Sequence, residues 1–261
     1  MWTSMKRFSL VMALILVVAL QGCIKERRRD CPCRLYLDMT EIDTSFVNSA
    51  RINVVGPDSF VYDDVRPSGL FGLDDYLAVP RGECHVNVYY GEDGLSRPSS
   101  GLSIPFGNEC PGVYMYSSYV DTDCEITSRK VRLYKNHCLM TVCVADPEHF
   151  PFGLSVNGNV SGYGVEGSPE SGGFRCRTAD MDDGRWTVSV PRQKDDSLVL
   201  EVDDGTAVLK SFALGKYISS SGYDWNAPDL EDITIGIDYT RTKLTLSVLG
   251  WEEVYEFDVV I

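Results

Sequence analysis

The side chains most able to move protons near neutral pH are His85, His137 and His149. Each needs a nucleophile or a carboxylate beside it before it can act, and none has such a partner at a telling spacing. His85 alternates with Val86 and Val88 on a strand and is expected to face solvent, His137 borders a strand, and His149 lies in the loop DPEHFPFG. The chain has no G-x-S-x-G elbow, no glycine motif that cradles phosphate and no H-E-x-x-H pair. Acidic clusters at Asp74-Asp75, Asp180 to Asp183 and Asp203-Asp204 precede or contain glycine. They lack the regular oxygen spacing of a calcium loop and read as hairpin turns. Neither a catalytic site nor a cofactor is expected.

Thiol chemistry is the stronger signal. Cys23 ends the stretch KRFSLVMALILVVALQGC, in which Lys6 and Arg7 precede an uncharged apolar run from Phe8 to Leu20. That run is about 20 Å long as a helix, short of a hydrocarbon core of roughly 30 Å, so it reads as a removable secretory signal. Leu20-Gln21-Gly22-Cys23 resembles the bacterial lipoprotein cleavage box, with Gln21 as its one departure. Cys23 is then the acyl acceptor and first mature residue, and several acyl chains hold a protein stably to a membrane. The following CIKERRRD (residues 23–30) is a polar tether.

Eight further cysteines remain: Cys31, Cys33, Cys84, Cys110, Cys124, Cys138, Cys143 and Cys176. Export makes oxidation their expected state, although an even eight allows on the order of a hundred pairings. Cys33, Leu35, Leu37 and Met39 share one strand face, and Cys84, Val86, Val88 and Tyr90 another, so Cys33 and Cys84 both point inward and form a candidate bridge. Zinc would want C-x-x-C pairs or matched histidines, which are absent, and Cys31-Pro32-Cys33 is too tight for a structural site.

The elements that position these residues are strands. Apolar and polar residues alternate in CRLYLDM (33–39), INVV (52–55), YLAV (76–79), CHVNVYY (84–90) and VYMYSSYV (113–120), with Gly, Pro and Asp turns between them. A second set begins with KVRLY (130–134) and LMTVCV (139–144) and closes with ITIGIDY (233–239), KLTLSVL (243–249) and EFDVVI (256–261). No sustained helical period occurs. The expectation is an all-β chain of two tandem sandwiches, at 31–128 and 129–261, after a signal at 1–22 and a tether at 23–30. The Gly/Ser-rich stretch 158–173 reads as a mobile surface loop. A formal net charge of −14 argues against nucleic acid. Tyr217, Tyr223 and Trp225 could stack on sugar if exposed, or plug one end of the second sandwich.

Cys23, the sequence Asp30-Cys31-Pro32-Cys33, and a closing run with Gly222-Tyr223-Asp224-Trp225, Asp229 to Ile233, Ile237-Asp238-Tyr239 and Gly250-Trp251-Glu252 together resemble the FimB-like fimbrial anchor lipoproteins of Bacteroides-type bacteria. The resemblance implies two transthyretin-like β-sandwiches and a non-enzymatic role. It implies a surface lipoprotein of the outer membrane, held there by acyl chains at the fimbrium base, that attaches the pilin shaft and limits its length. A glycan-binding lipoprotein and a fimbrial tip adhesin are the alternatives. The eight extra cysteines depart from the family and imply a more heavily stapled body.

Overall fold

The computed structural model describes residues 31–72, 75–96, 101–146, 148, 150–178, 183–238, 243–248 and 251–256. Cys23 with the rest of 1–30, His149, and the part of EFDVVI after Glu256 lie outside the described residues. The first nine strands are β1 (Cys33–Asp38), β2 (Ser49–Val55), β3 (Val61–Pro67), β4 (Tyr76–Val79), β5 (Glu83–Tyr90), β6 (Gly101–Ser103), β7 (Tyr114–Asp121), β8 (Ile126–Lys130) and β9 (Tyr134–Lys135). A three-stranded sheet in the order β4-β1-β8 packs on a five-stranded sheet in the order β3-β2-β5-β7-β9. Strict alternation buries Cys33, Leu35 and Leu37 from β1 against Ile52 and Val54 from β2 and Val86 and Val88 from β5. Each such side chain, fully buried, contributes about 1.5–3 kcal/mol.

The second sandwich contains β10 (His137–Val144), β11 (Gly153–Gly164), β12 (Pro169–Arg177), β13 (Arg185–Pro191), β14 (Val199–Asp203), β15 (Val208–Phe212), β16 (Ile233–Asp238), β17 (Lys243–Val248) and β18 (Trp251–Glu256). One sheet runs β13-β10-β16-β17-β18 and the other β12-β11-β14-β15. One short helix, α1 (Leu214–Ser220), is held by burial of Leu214 and Ile218 rather than by a long amphipathic face. Each sandwich has one parallel pair among antiparallel ones, β1 with β8 and β10 with β16.

The stretch 158–173, expected as a mobile loop, is instead most of a hairpin. Strands β11 and β12 pair across it, with register shifts near Gly158, Val160 and Gly162, and only residues 165–168 turn. Val160 and Tyr163 are fully buried. Glycine thins the apolar alternation here, but it also lets backbones approach closely, which is how the strand is used.

That use is the docking of β6 onto β11. Leu102 pairs with Tyr163 and Gly101 with Gly164. Leu102 and Ile104, with Cys110, Val113 and Met115, pack into the core of the second sandwich, although they precede residue 128 in the chain. A three-residue strand is too short to show its alternation, so position along the chain alone assigned it to the first sandwich. Gly101 has a φ of +139°, and a Cβ there would lie 2.0 Å from the Tyr163 carbonyl oxygen. Gly101→Ala is therefore expected to cost about 2 kcal/mol of folding stability, read as a lowered urea midpoint. Gly69→Ala, which meets nothing within 4 Å, is expected to stay within about 0.5 kcal/mol of the parent.

Candidate functional site: tether entry and open edge

The first described residues are Cys31 to Cys33. Cys31 is exposed, and its carbonyl accepts a 2.9 Å hydrogen bond from Arg81 Nε. Cys33 then opens β1 and is fully buried. Cys84 is also fully buried in the same core, so both point inward as alternation requires. Cys84 Sγ lies 3.5 Å from Thr122 Oγ1 and 3.8 Å from the Pro80 carbonyl. The sulfur within reach of Cys33 is that of Cys124, at 3.9 Å. All eight described cysteines stand as thiols. Burial pushes the Cys110 and Cys138 thiols up to about 12 and that of Cys176 to about 11. They are packed as neutral apolar groups and not as nucleophiles.

Beyond β1 the first sandwich has an open side. Strands β3 and β4 are the edges of their two sheets. A groove of about 410 Å³ between them is lined by Phe60, Val61, Val65, Leu70, Tyr76 and Leu77. Val61 is 61% exposed, and Val65, Leu70 and Tyr76 are each 44% exposed. Edges of this kind offer unpaired backbone donors and acceptors to an extended segment. Asp63, Asp64 and Pro67 on β3 discourage indiscriminate pairing, and Arg51 holds Asp63 at 3.0 Å and Glu92 at 3.1 Å.

The two described histidines, His85 and His137, are buried in hydrogen-bonded settings. His85 is buried, not solvent-facing, because β11 and β12 bring their turn over β5 and β7: Gly167 abuts Ser117. Asn87 Nδ2 donates to His85 Nδ1 at 3.2 Å, the opposite nitrogen lies 3.1 Å from Ser117 Oγ, and Ser117 donates to Asn87 Oδ1 at 2.7 Å. The ring of bonds closes only with the proton on Nε2, so Ser117 has no base to activate it. Tyr119, whose hydroxyl donates to Glu166, packs edge-on against the imidazole. His137 is buried at the start of β10, with Nδ1 3.1 Å from the Val113 carbonyl. The acidic pair Asp203-Asp204 forms the β14–β15 turn: Asp203 takes a hydrogen bond from Arg177, and Asp204 accepts from the Thr206 hydroxyl and from the Ala207 and Thr206 amides, which hold its carboxyl down at about 2.

Tyr223 and Trp225 are buried and meet edge to face with centroids 4.8 Å apart. They plug the second sandwich and present no flat surface to a sugar, while Tyr217 is partly buried against the same core. Between them the chain wraps a residue that pattern reading missed. Arg192 donates to the carbonyls of Trp225, Ala227 (2.7 Å), Pro228 (2.9 Å) and Lys135 (3.4 Å), and to Asn136 Oδ1 at 3.0 Å. Burial lowers its pKa from the ordinary arginine value. The only available signal was a cation directly after the buried strand WTVSVP.

No protein-family model matches the sequence, and no curated protein matches it. Solved structures do share the fold. A proposed adhesin from Bacteroides ovatus aligns with a TM-score of 0.62 at 12% identity, covering 87% of this chain and 95% of that one. A proposed polysaccharide-binding protein from Bacteroides thetaiotaomicron aligns at 0.62 and 10% identity, covering 88% and 99%. The fimbrial anchor protein Mfa2 from Porphyromonas gingivalis aligns at 0.58 and 13% identity, covering 85% and 99%. The chain therefore shares the all-β sandwich fold of these proteins over nearly their whole length. Among the described residues no helix is long and apolar enough to cross a membrane.

Two predictions follow from the half-buried cation and the buried imidazoles. Arg192→Met strands several carbonyls without a donor and is expected to cost about 3 kcal/mol or more by chemical denaturation, with Arg192→Lys recovering little of it. Burial lowers the pKa of both His85 and His137 below 6.5. The unfolded chain then binds more protons just below that value, so their contribution is complete above about pH 6.5 and is lost as pH falls toward the folded pKa values. Urea midpoints between about pH 7.5 and about pH 5.5 should fall, with a shallower slope in a variant carrying His85→Gln and His137→Gln.

Proposed function

We propose that this chain is a lipoprotein that anchors a fimbrium at the outer surface of the outer membrane and limits its length, without catalysis. The observation that carries the reading is a body shared with a fimbrial anchor protein over 99% of that protein's length. A sequence start that supplies an acyl-acceptor thiol at Cys23 supports it. In this reading acyl chains on Cys23 hold the outer membrane, residues 23–30 span the gap, and the two sandwiches form the body. The shaft subunit adds an extended segment at the groove between β3 and β4, gaining main-chain hydrogen bonds and pockets for alternate side chains.

Burial of Tyr223 and Trp225 weighs against the glycan-binding alternative, because stacking on sugar needs open ring faces. Deleting the gene should give longer fimbriae shed into the medium, seen by electron microscopy and by pilin in the supernatant. Cys23→Ala should reproduce this, with the folded protein leaving the membrane fraction. Fimbriae of ordinary length and attachment in both strains would refute the anchor.

A further inference from the structure

Cys33 and Cys124 are brought together by long-range strand pairing and not by chance of local sequence. Arg34 stands opposite Ile126 in the parallel β1–β8 ladder, and its amide donates to the Glu125 carbonyl at 2.9 Å. That bond fixes Cys33, the first residue of β1, beside the connection from β7 to β8. The two sulfurs lie 3.9 Å apart, with Cys33 fully buried and Cys124 half-buried on a connection outside both strands. Reaching a disulfide length of about 2.05 Å takes a shift of the size a side-chain torsion supplies. Cys84, in contrast, lies in the opposite sheet and already faces Thr122 and the Pro80 carbonyl.

We propose that Cys33 and Cys124 form a disulfide that ties the first strand of the body to the β7–β8 connection. The oxidant is the disulfide of an exported thiol–disulfide oxidoreductase. The accessible Cys124 thiolate attacks that disulfide, giving a mixed disulfide and releasing one oxidant thiolate. Cys33 then attacks the Cys124 sulfur, its proton passes to solvent, and the second oxidant thiolate leaves. Two protein thiols lose two electrons and two protons, and one oxidant disulfide becomes a dithiol. Burial and the neighbouring sulfur push the Cys33 thiol of the reduced protein up to about 11, so Cys33 is not the thiol that opens the reaction.

The consequence rests on the anchor reading: tension from a membrane tether enters the body at Cys33. Without the bridge that pull is borne by the hydrogen bonds of β1 to β4 and β8. With it, the pull passes through a covalent bond to residue 124, and the stretch between the two cysteines cannot extend.

The test uses the full chain exported to an oxidising compartment, with free thiols blocked by alkylation before unfolding. Trypsin with a Glu/Asp-specific protease separates the candidates, since cuts after Glu83, Glu92, Glu109 and Asp123 place Cys84, Cys110 and Cys124 on different peptides. A parallel digest of Cys31→Ser distinguishes Cys31 from Cys33. The expected result is a Cys33–Cys124 linked peptide that disappears on reduction. Cys33 joined to Cys84 or Cys31, or still alkylated after full oxidation, would overturn the proposal. Cys124→Ala, at the half-buried partner, avoids cutting into the core. Pulled from its two ends, the oxidised chain should release about 330 Å less contour length than the reduced chain or Cys124→Ala, from 91 residues of separation at about 3.6 Å each. Equal lengths would also overturn it. Neither measurement reads acylation at Cys23 or attachment of a fimbrium, so they stand or fall independently of the anchor reading.

Discussion

The crossing between the two sandwiches is held by one half-buried cation, Arg192. Residues 134–136 leave the sheet of the first sandwich at β9 and enter the second at β10, and a chain making that passage exposes carbonyls that neither sheet can pair. Arg192 supplies donors for Lys135 and Asn136 from one side and for the loop 225–228 from the other. Tyr163 donates to the Asn136 carbonyl, and the Leu230 amide donates to that of Lys135. A guanidinium suits the task because its planar array of five donors can meet carbonyls arriving from several directions, which a single ammonium cannot. The loop carrying Tyr223 and Trp225 is thus held against the core by the same group that fixes the crossing.

A second connection makes the junction stiff. Docking of β6 onto β11 returns the chain to the second sandwich before the first is complete, so Leu102 and Ile104 fill a core that their place in the chain does not suggest. The β11–β12 turn reaches back over β5 and β7, where Glu166 meets Tyr119 above the closed His85, Asn87 and Ser117 ring. Two sandwiches joined by one linker would swing; joined at the crossing, at β6 and at this turn, they resist both bending and twisting.

Much of this was readable from residue order. Strands such as β1 and β16 alternate cleanly because one face meets the core and the other is more open, and Cys33 and Cys84 fall on core-facing positions as alternation requires. What escaped shares a physical cause. The β11–β12 hairpin is built from glycine and serine, whose value is the close backbone approach they allow and not the side chains they bury. His85 sits at a position that alternation assigns to solvent, and it is covered by a turn nearly eighty residues further along the chain. Strand β3 is mostly exposed and carries Asp63, Asp64 and Arg66, so it has no apolar stripe to see. Arg192 has no sequence neighbour among its acceptors. Alternation reports a strand's own two faces, whereas each of these features is set by what another part of the chain places beside it.

Position also decides whether a stapled sandwich can still accept a partner's strand. Strand β1 is central in its sheet, with β4 on one side and β8 on the other. Cys124 approaches from the β8 side, through the connection that leads into that strand, whereas the apolar groove opens on the β4 side, between β4 and β3. A covalent tie at Cys33 therefore secures the first strand of the body without pinning the β3 or β4 edge. Holding β1 in register also holds β4, whose four residues pair only with it, so the lip of the groove keeps its shape while the sheet is under load. Strength at the tether and openness at the edge are compatible in this fold because they lie on opposite flanks of one strand.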